Sequence, residues 1–300
     1  MKPQPPELVG EYFTIYDSAL QGRTLSVSGP WNSAVEAALT EFDVDSVSLN
    51  YALGYSERSL DFLHSGLNIR KLSILSRTTV DISPVYRLAS TLQYLSIEVS
   101  TRSRLDLALL PQIQTIRVDW SLIKDSVAQV EDLRIAVISR YAGEDLRPIG
   151  MHLGLVSLEL DNIPKIRTLS GIEFLPSLSS LGIYGARTFT DMSQLRELAP
   201  NLIKEIQIES CKSVGSLEAL QACQGLEFLN IGNLGPIDSL TPLRTLKLLK
   251  RLYAYESTMI IDGDLSPLAD LPHLRQLKMM NRKSYTPSVA KIMEVLGASE

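Results

Sequence analysis

Eleven times along the chain an apolar-x-x-apolar-x-apolar hexad recurs, and no other feature limits the possible folds as tightly. The first four copies are VDSVSL (44–49), IRKLSI (69–74), LQYLSI (92–97) and IQTIRV (113–118). The middle four are LRIAVI (133–138), LVSLEL (155–160), LSSLGI (178–183) and IKEIQI (203–208). The last three are LEFLNI (226–231), LKRLYA (249–254) and LRQLKM (274–279). Successive copies start 25, 23, 21, 20, 22, 23, 25, 23, 23 and 25 residues apart. Spacing this even marks an internal repeat, and repeats of 20 to 30 residues build stacked architectures. Within each hexad the fourth and sixth residues are apolar and the residue between them is mostly polar. That is the period-two signature of a short strand with one buried face.

About 15 residues separate one hexad from the next, and they carry a second apolar set. It is clearest in ISPVYRLAS, TLSGIEFLPS, IDSLTPLRTL and GDLSPLADLP. The spacing there is that of a short helix or 3₁₀ turn, with Ser-Pro or Thr-Pro opening several of them. One strand plus one such turn is too small to bury its own apolar side. Stacked copies bury it against each other. The expected fold class is an α/β solenoid with a parallel concave sheet and short helical or 3₁₀ convex segments.

A strand and a convex turn in 20–25 residues resembles the leucine-rich repeat family, and the resemblance implies that family's horseshoe. The phrase DLSPLADLPHLRQL (264–277) is similar to the short bacterial repeats of the internalin and phosphatase-regulator kind. The resemblance covers about residues 44–290. It implies Asn or Cys three residues after each hexad, bonding turn backbone. Here that slot holds Ala52, Arg77, Ser100, Ser121, Tyr141, Ile163, Ala186, Cys211, Leu234, Ser257 and Arg282. Only Cys211 fits, and the serines are the remaining donors. The missing ladder predicts a less regular stack with looser repeat boundaries.

The ends read as caps of a single domain. Leu25-Ser-Val27 falls 22 residues before Val47-Ser-Leu49 and is the expected strand of a degenerate first repeat. Trp31, Val35, Ala38, Leu39 and Phe42 lie at helical spacing and predict a helix over the open end of the core. Residues 1–10 are Pro-rich and read as loose. Val289, Ile292, Met293, Val295 and Leu296 predict a last amphipathic helix. The boundaries are 1–43 for the N-terminal cap, 44–285 for about eleven repeats, and 286–300 for the C-terminal capping helix.

Composition narrows the function classes. With 45% hydrophobic and 21% charged residues, the chain can build a continuous core. A net charge of −5 lacks the basic footprint that nucleic-acid binding needs. No stretch reaches the length of an apolar membrane span. The opening MKPQPPELVGEYFTIYDS has no apolar h-region, the sequence has no Asn-x-Ser/Thr sequon, and there are two cysteines. These features point to a cytoplasmic protein.

No catalytic constellation emerges. His64, His152 and His273 fall in three separate repeats outside the strands and read as surface or turn residues. Cys211 and Cys223 have no zinc-ligand spacing and read as buried structural residues. There is no phosphate loop and no nucleophile elbow. The reading is non-enzymatic, without cofactor or metal.

What remains is the concave face, onto which hexad positions three and five and the residue after the hexad point. Asp119, Glu159, Asp161, Glu205 and Glu209 form an acidic stretch there, opposed only by Arg117. Tyr94, Tyr184, Phe228, Tyr253 and Tyr255 supply five of the chain's 11 Tyr and 6 Phe, with Arg251 among them and Trp120 beside the row. Aromatics next to charge are the material of binding hot spots, and an acidic patch steers a basic partner. The sequence therefore predicts a monomeric protein-binding module for a basic protein surface, such as an immunity protein or inhibitor that neutralises a toxin or nuclease. The alternative is a regulatory scaffold or adaptor that docks an enzyme.

Overall fold

The computed structural model describes residues 7–19, 21–101 and 103–297. The chain divides into two compact units, Met1–Leu133 and Arg134–Glu300.

In the first unit, β1 (Glu7–Gly10) and β2 (Phe13–Ser18) form an antiparallel hairpin, and β2 pairs antiparallel with β3 (Gly22–Val27). From β3 onward every pairing is parallel. It runs through β4 (Ser46–Asn50), β5 (Lys71–Thr79), β6 (Tyr94–Ser100) and β7 (Thr115–Asp119). Helix α1 (Ser33–Glu41) follows β3. The side chain of Asn32 caps it, accepting from the Ala34 and Val35 amides at 3.0 and 3.1 Å. Val35, Ala38 and Leu39 are its buried face. Because α1 links two parallel neighbours, it is the crossover between β3 and β4. The end strand of this unit's sheet is β1. A loose start was expected over residues 1–10. Residues 7–10 form β1, and residues 1–6 lie outside the described residues.

The second unit is parallel throughout its main sheet. Its strands are β8 (Ile135–Ser139), β9 (Ser157–Asp161), β10 (Ser180–Tyr184), β11 (Glu205–Glu209), β12 (Phe228–Asn230), β14 (Arg251–Ala254) and β16 (Gln276–Met279). A small parallel pair, β13 (Pro236–Ile237) with β15 (Met259–Ile260), runs beside it. Between strands come short turns such as the 3₁₀ segments Ile172–Phe174 and Thr241–Thr245 and the helix α3 (Ser266–Ala269). Helix α4 (Val289–Leu296) closes the described chain, capped by Ser288 and buried through Val289 and Ile292.

Every strand from β4 to β12, with β14 and β16, begins at the third residue of its hexad. The fourth and sixth residues are buried, with Met279 half-exposed. Each fully buried Leu or Ile contributes about 1.5–3 kcal/mol, and copies in register stack these side chains into continuous columns. Leu181 opposes Leu158 on one side and Ile206 on the other. Among the described residues, no helix is long and apolar enough to cross a membrane.

One core position was misread. His152 is 1% exposed, with its Nε2 3.1 Å from the Ile149 carbonyl oxygen. It stands three residues before the core residue Leu155, where later repeats bury Leu175, Cys223, Leu246 and Leu271. The side chain therefore takes a core place although it lies in a turn. His64 is exposed, 3.2 Å from Glu36, and His273 is exposed. The two cysteines are buried and free.

Candidate protein-binding face

Strand alternation leaves one face of each sheet without the core columns. In the second unit, parallel register orders this open face into rows. Glu205, Phe228, Arg251 and Gln276 stand side by side in the first. Glu159, Gly182, Gln207, Asn230, Tyr253 and Lys278 make the second. Tyr184 and Glu209 are neighbours in the third, which Asp161 at the end of β9 and Tyr255 just past the end of β14 extend.

Left-handed turns fix the third row. The residue two places after the hexad has positive φ at Arg140, Asn162, Gly185, Ser210, Asn233 and Glu256. Four of these direct their amides at the next repeat. Arg140 N donates to Asp161 O at 3.0 Å, Gly185 N to Glu209 O at 2.8 Å, Ser210 N to Gly232 O at 3.0 Å, and Asn233 N to Tyr255 O at 3.1 Å. The backbones of Asp161, Glu209 and Tyr255 are thereby held by the preceding turn.

Three of the acidic residues, Glu159, Glu205 and Glu209, act on one phenol. Burial first, and then the fields of Glu159, Glu205, Glu209 and Tyr255, push the Tyr184 hydroxyl above its ordinary pKa. Gln207 Nε2 donates to Glu205 Oε1 at 2.7 Å, and Asn230 Nδ2 to Glu209 Oε2 at 3.1 Å. Burial, followed by the bond its hydroxyl gives Glu209, raises Tyr255 as well. Glu209 is thus oriented by the buried Asn230 amide. Among the described residues, no group of three or more His, Cys, Asp or Glu is arranged to hold a metal.

Beyond this cluster the face changes sign. The Arg251 guanidinium lies 4.1 Å from the centroid of Phe228, and the Lys278 ammonium 4.7 Å from that of Tyr253. Phe228 and Tyr253 meet edge to face at 5.0 Å. Phe228 is therefore only 7% exposed. Expected as an exposed aromatic, it is instead the platform beneath Arg251.

The remaining predicted residues belong to the first unit. Tyr94 is half-buried on β6 between Lys71 and Thr115. Trp120 is 7% exposed at the start of helix α2 (Trp120–Ile123), so it is a packing residue and not an open contact. Asp119 caps that helix, its Oδ1 accepting from Ser121 N at 2.8 Å, so this carboxylate serves local structure. Part of this open face is also covered. Thr24, Ser26, Ser46 and Ser48 are buried. Gln21 reaches back over them, its Oε1 accepting from Ser46 Oγ at 3.0 Å and its Nε2 donating to Ser73 Oγ, and Lys71 Nζ donates to the Gln21 carbonyl at 2.8 Å.

No protein-family model matches the chain, and no curated protein matches it. Solved structures do. An internalin (InlF) from Listeria monocytogenes overlays 87% of this chain and 83% of its own, at 18% identity and a TM-score of 0.57. The parallel order, the repeat length and this overlay agree. The chain has the leucine-rich-repeat fold. The leucine-rich repeat domain of the type III effector XopL overlays 65% of this chain and 77% of its own, at 18% identity and a TM-score of 0.48. Internalin C2 from Listeria monocytogenes overlays 72% and 76%, at 21% identity and a TM-score of 0.41.

These leucine-rich repeats hold their turns together without the Asn ladder. Thr258, one place past the expected slot, donates to Ile231 O at 2.6 Å and accepts from Leu234 N at 3.0 Å. Tyr141 spans its own turn, donating to Asp145 O at 2.6 Å. The Cys211 thiol lies 3.5 Å from Ile183 O. The serines do not fill the role as expected. Ser257 bonds Asn233 and Ser121 bonds Asp119, both through side chains. With other groups satisfying the turns, pairing within each unit keeps the same hexad register from strand to strand.

Four contributors to the face were not singled out from sequence. Gly182 and Gly232 make room for the Tyr184 and Tyr255 rings, Asn230 orients Glu209, and Lys278 completes the cationic stack. Glycine at an outward strand position was the available signal, since it marks close approach.

Proposed function

We propose that this protein is a non-enzymatic protein-binding module that uses the open face of its second unit. The observation that carries the reading is the placement of Glu159 and of Glu205 and Glu209 on the two strands flanking Tyr184, with Glu209 its register neighbour and Glu159 packed beside its ring over Gly182. Three carboxylates beside a half-buried ring, two of them held by Gln207 and Asn230, form a negatively charged contact. Their complement is a lysine- or arginine-bearing protein surface. Within that class the reading is an immunity or inhibitor protein, because an acidic face can occupy the basic site with which a nuclease or similar toxin holds phosphate. The second reading is an adaptor that docks an enzyme. Arg251 and Lys278 favour it, because a face of both signs suits a partner that is not uniformly basic.

The test is affinity capture from the source organism with wild type and with a variant carrying Glu159→Lys, Asp161→Lys, Glu205→Lys and Glu209→Lys, both checked for equal folding. The captured protein is then purified and titrated. Loss of binding in the variant supports the reading, and equal binding by both sinks it. Inhibition of the partner's own activity on binding supports the immunity role. Retained activity with rapid exchange supports the adaptor.

A further inference from the structure

The open face of the second unit is electrically divided, and the division dictates the charge pattern of what binds there. Glu159, Glu205 and Glu209 occupy β9 and β11. Arg251 and Lys278 occupy β14 and β16, two and three strands beyond β11 in the sheet. Both cations are exposed, and each is laid on an aromatic ring. Neither makes a salt bridge among the described residues. Glu227, the acid whose field reaches Arg251, is held by Lys250 at 2.5 Å. Cations stacked this way lose rotamer freedom before any partner arrives, while their N–H groups stay directed at solvent. Their complement is a carboxylate, and it lies on the same surface as the complement of the acidic cluster.

We propose that this face recognises a dipolar protein surface, seating a partner carboxylate against Arg251 and Lys278 beside a basic group over Glu159, Glu205 and Glu209. The inference rests on the protein-binding reading and adds the partner's charge order to it. At about 4.8 Å per strand, Arg251 and Lys278 lie about 10–14 Å across the sheet from Glu205 and Glu209, the near edge of the acidic seat. An extended segment covers that distance in about four residues. The mixed face also sets orientation, because a partner docked the other way round meets like charge at both ends.

The experiment uses three dye-labelled peptides of equal length and the full chain at low ionic strength. The first carries an arginine pair and an aspartate pair separated by three Ser/Gly residues. The second has the same composition with the charges alternating. The third keeps the arginines and replaces the aspartates by serine. Wild type is expected to bind the first about fivefold more tightly than either of the others, as two modest exposed charge contacts would give. An Arg251→Glu, Lys278→Glu variant, and the milder Arg251→Gln, Lys278→Gln variant, are expected to lose that preference and to favour the arginine-only peptide. If wild type binds the arginine-only peptide as tightly as the first, the dipolar proposal is overturned while the acidic face keeps its role. If no peptide binds better to wild type than to the Glu205→Lys, Glu209→Lys variant, both readings fail.

Discussion

The Tyr184 ring folds back over Gly182. A methyl group at Gly182 would stand 2.7 Å from Tyr184 Cε2, 3.0 Å from its hydroxyl and 3.1 Å from Glu159 Cγ. The glycine is thus the floor on which the phenol and the carboxylate meet, and the same arrangement recurs at Gly232, where an added methyl group would stand 2.6 Å from Tyr255 Cζ. Gly182→Ala should displace the ring and leave the strand intact, since a side chain gives way more readily than backbone. Stability should change by less than about 1 kcal/mol. The ring protons of Tyr184 should shift in the NMR spectrum, and partner binding should weaken. An unmoved Tyr184 resonance would show that the two residues are not coupled.

Glu256 sits at φ +54° in a turn where Asn162, Asn233 and Gly185 occupy the equivalent places. A left-handed backbone penalises most side chains but is tolerated by Asn. Glu256→Asn should therefore stabilise the protein by about 0.5–1 kcal/mol, read as a higher midpoint in urea with an unchanged slope.

Thr258 is 1% exposed and serves two backbone groups of the preceding repeat. Thr258→Val keeps the shape but strands a buried carbonyl and a buried amide, a loss of about 2 kcal/mol or more. Thr258→Ser should recover most of it. Equal urea midpoints for the Val and Ser variants would contradict this assignment.

Three convex turns open with the same device. Asp81, Asp191 and Asp264 accept from the amides of Ser83, Ser193 and Ser266 at 3.0, 2.8 and 2.8 Å. In each case that backbone bond is the leading cause of a carboxyl pKa below the ordinary value. A depressed folded pKa contributes stability that is complete above the unfolded value near 4 and is lost as pH falls through the folded one. Melting temperature should accordingly drop below about pH 4. The drop should be shallower in the Asp81→Asn, Asp191→Asn, Asp264→Asn variant, whose amide oxygens can still accept the turn bonds.

Burial pushes the Cys211 thiol up to about 11 and the Cys223 thiol up to about 12. Both should resist a thiol-specific disulfide reagent at pH 8 in the native protein and react at once in denaturant. Rapid native labelling of either would place it outside the core.

The hexads determined the strands. Period two is a local property of the backbone, so VDSVSL or LVSLEL states by itself which residues point inward, and the even offsets state that the copies stack. Trp120, Phe228 and Asp119 show what such a pattern does not contain. Their positions in the repeat marked them as outward or beside the outward row, yet one packs into a helix start, one lies under Arg251 and one caps α2. The cover over Phe228 comes from a residue 23 positions away, brought alongside only by strand register. The same holds for Thr258 bonding Ile231, for Gln21 reaching Ser46 and Ser73, and for the carboxylates around Tyr184. The sequence by itself determined the repeat and its buried columns, because both follow from local periodicity. Only the tertiary structure decided which outward side chains stay open and which charges become neighbours, because those contacts form between residues of different repeats.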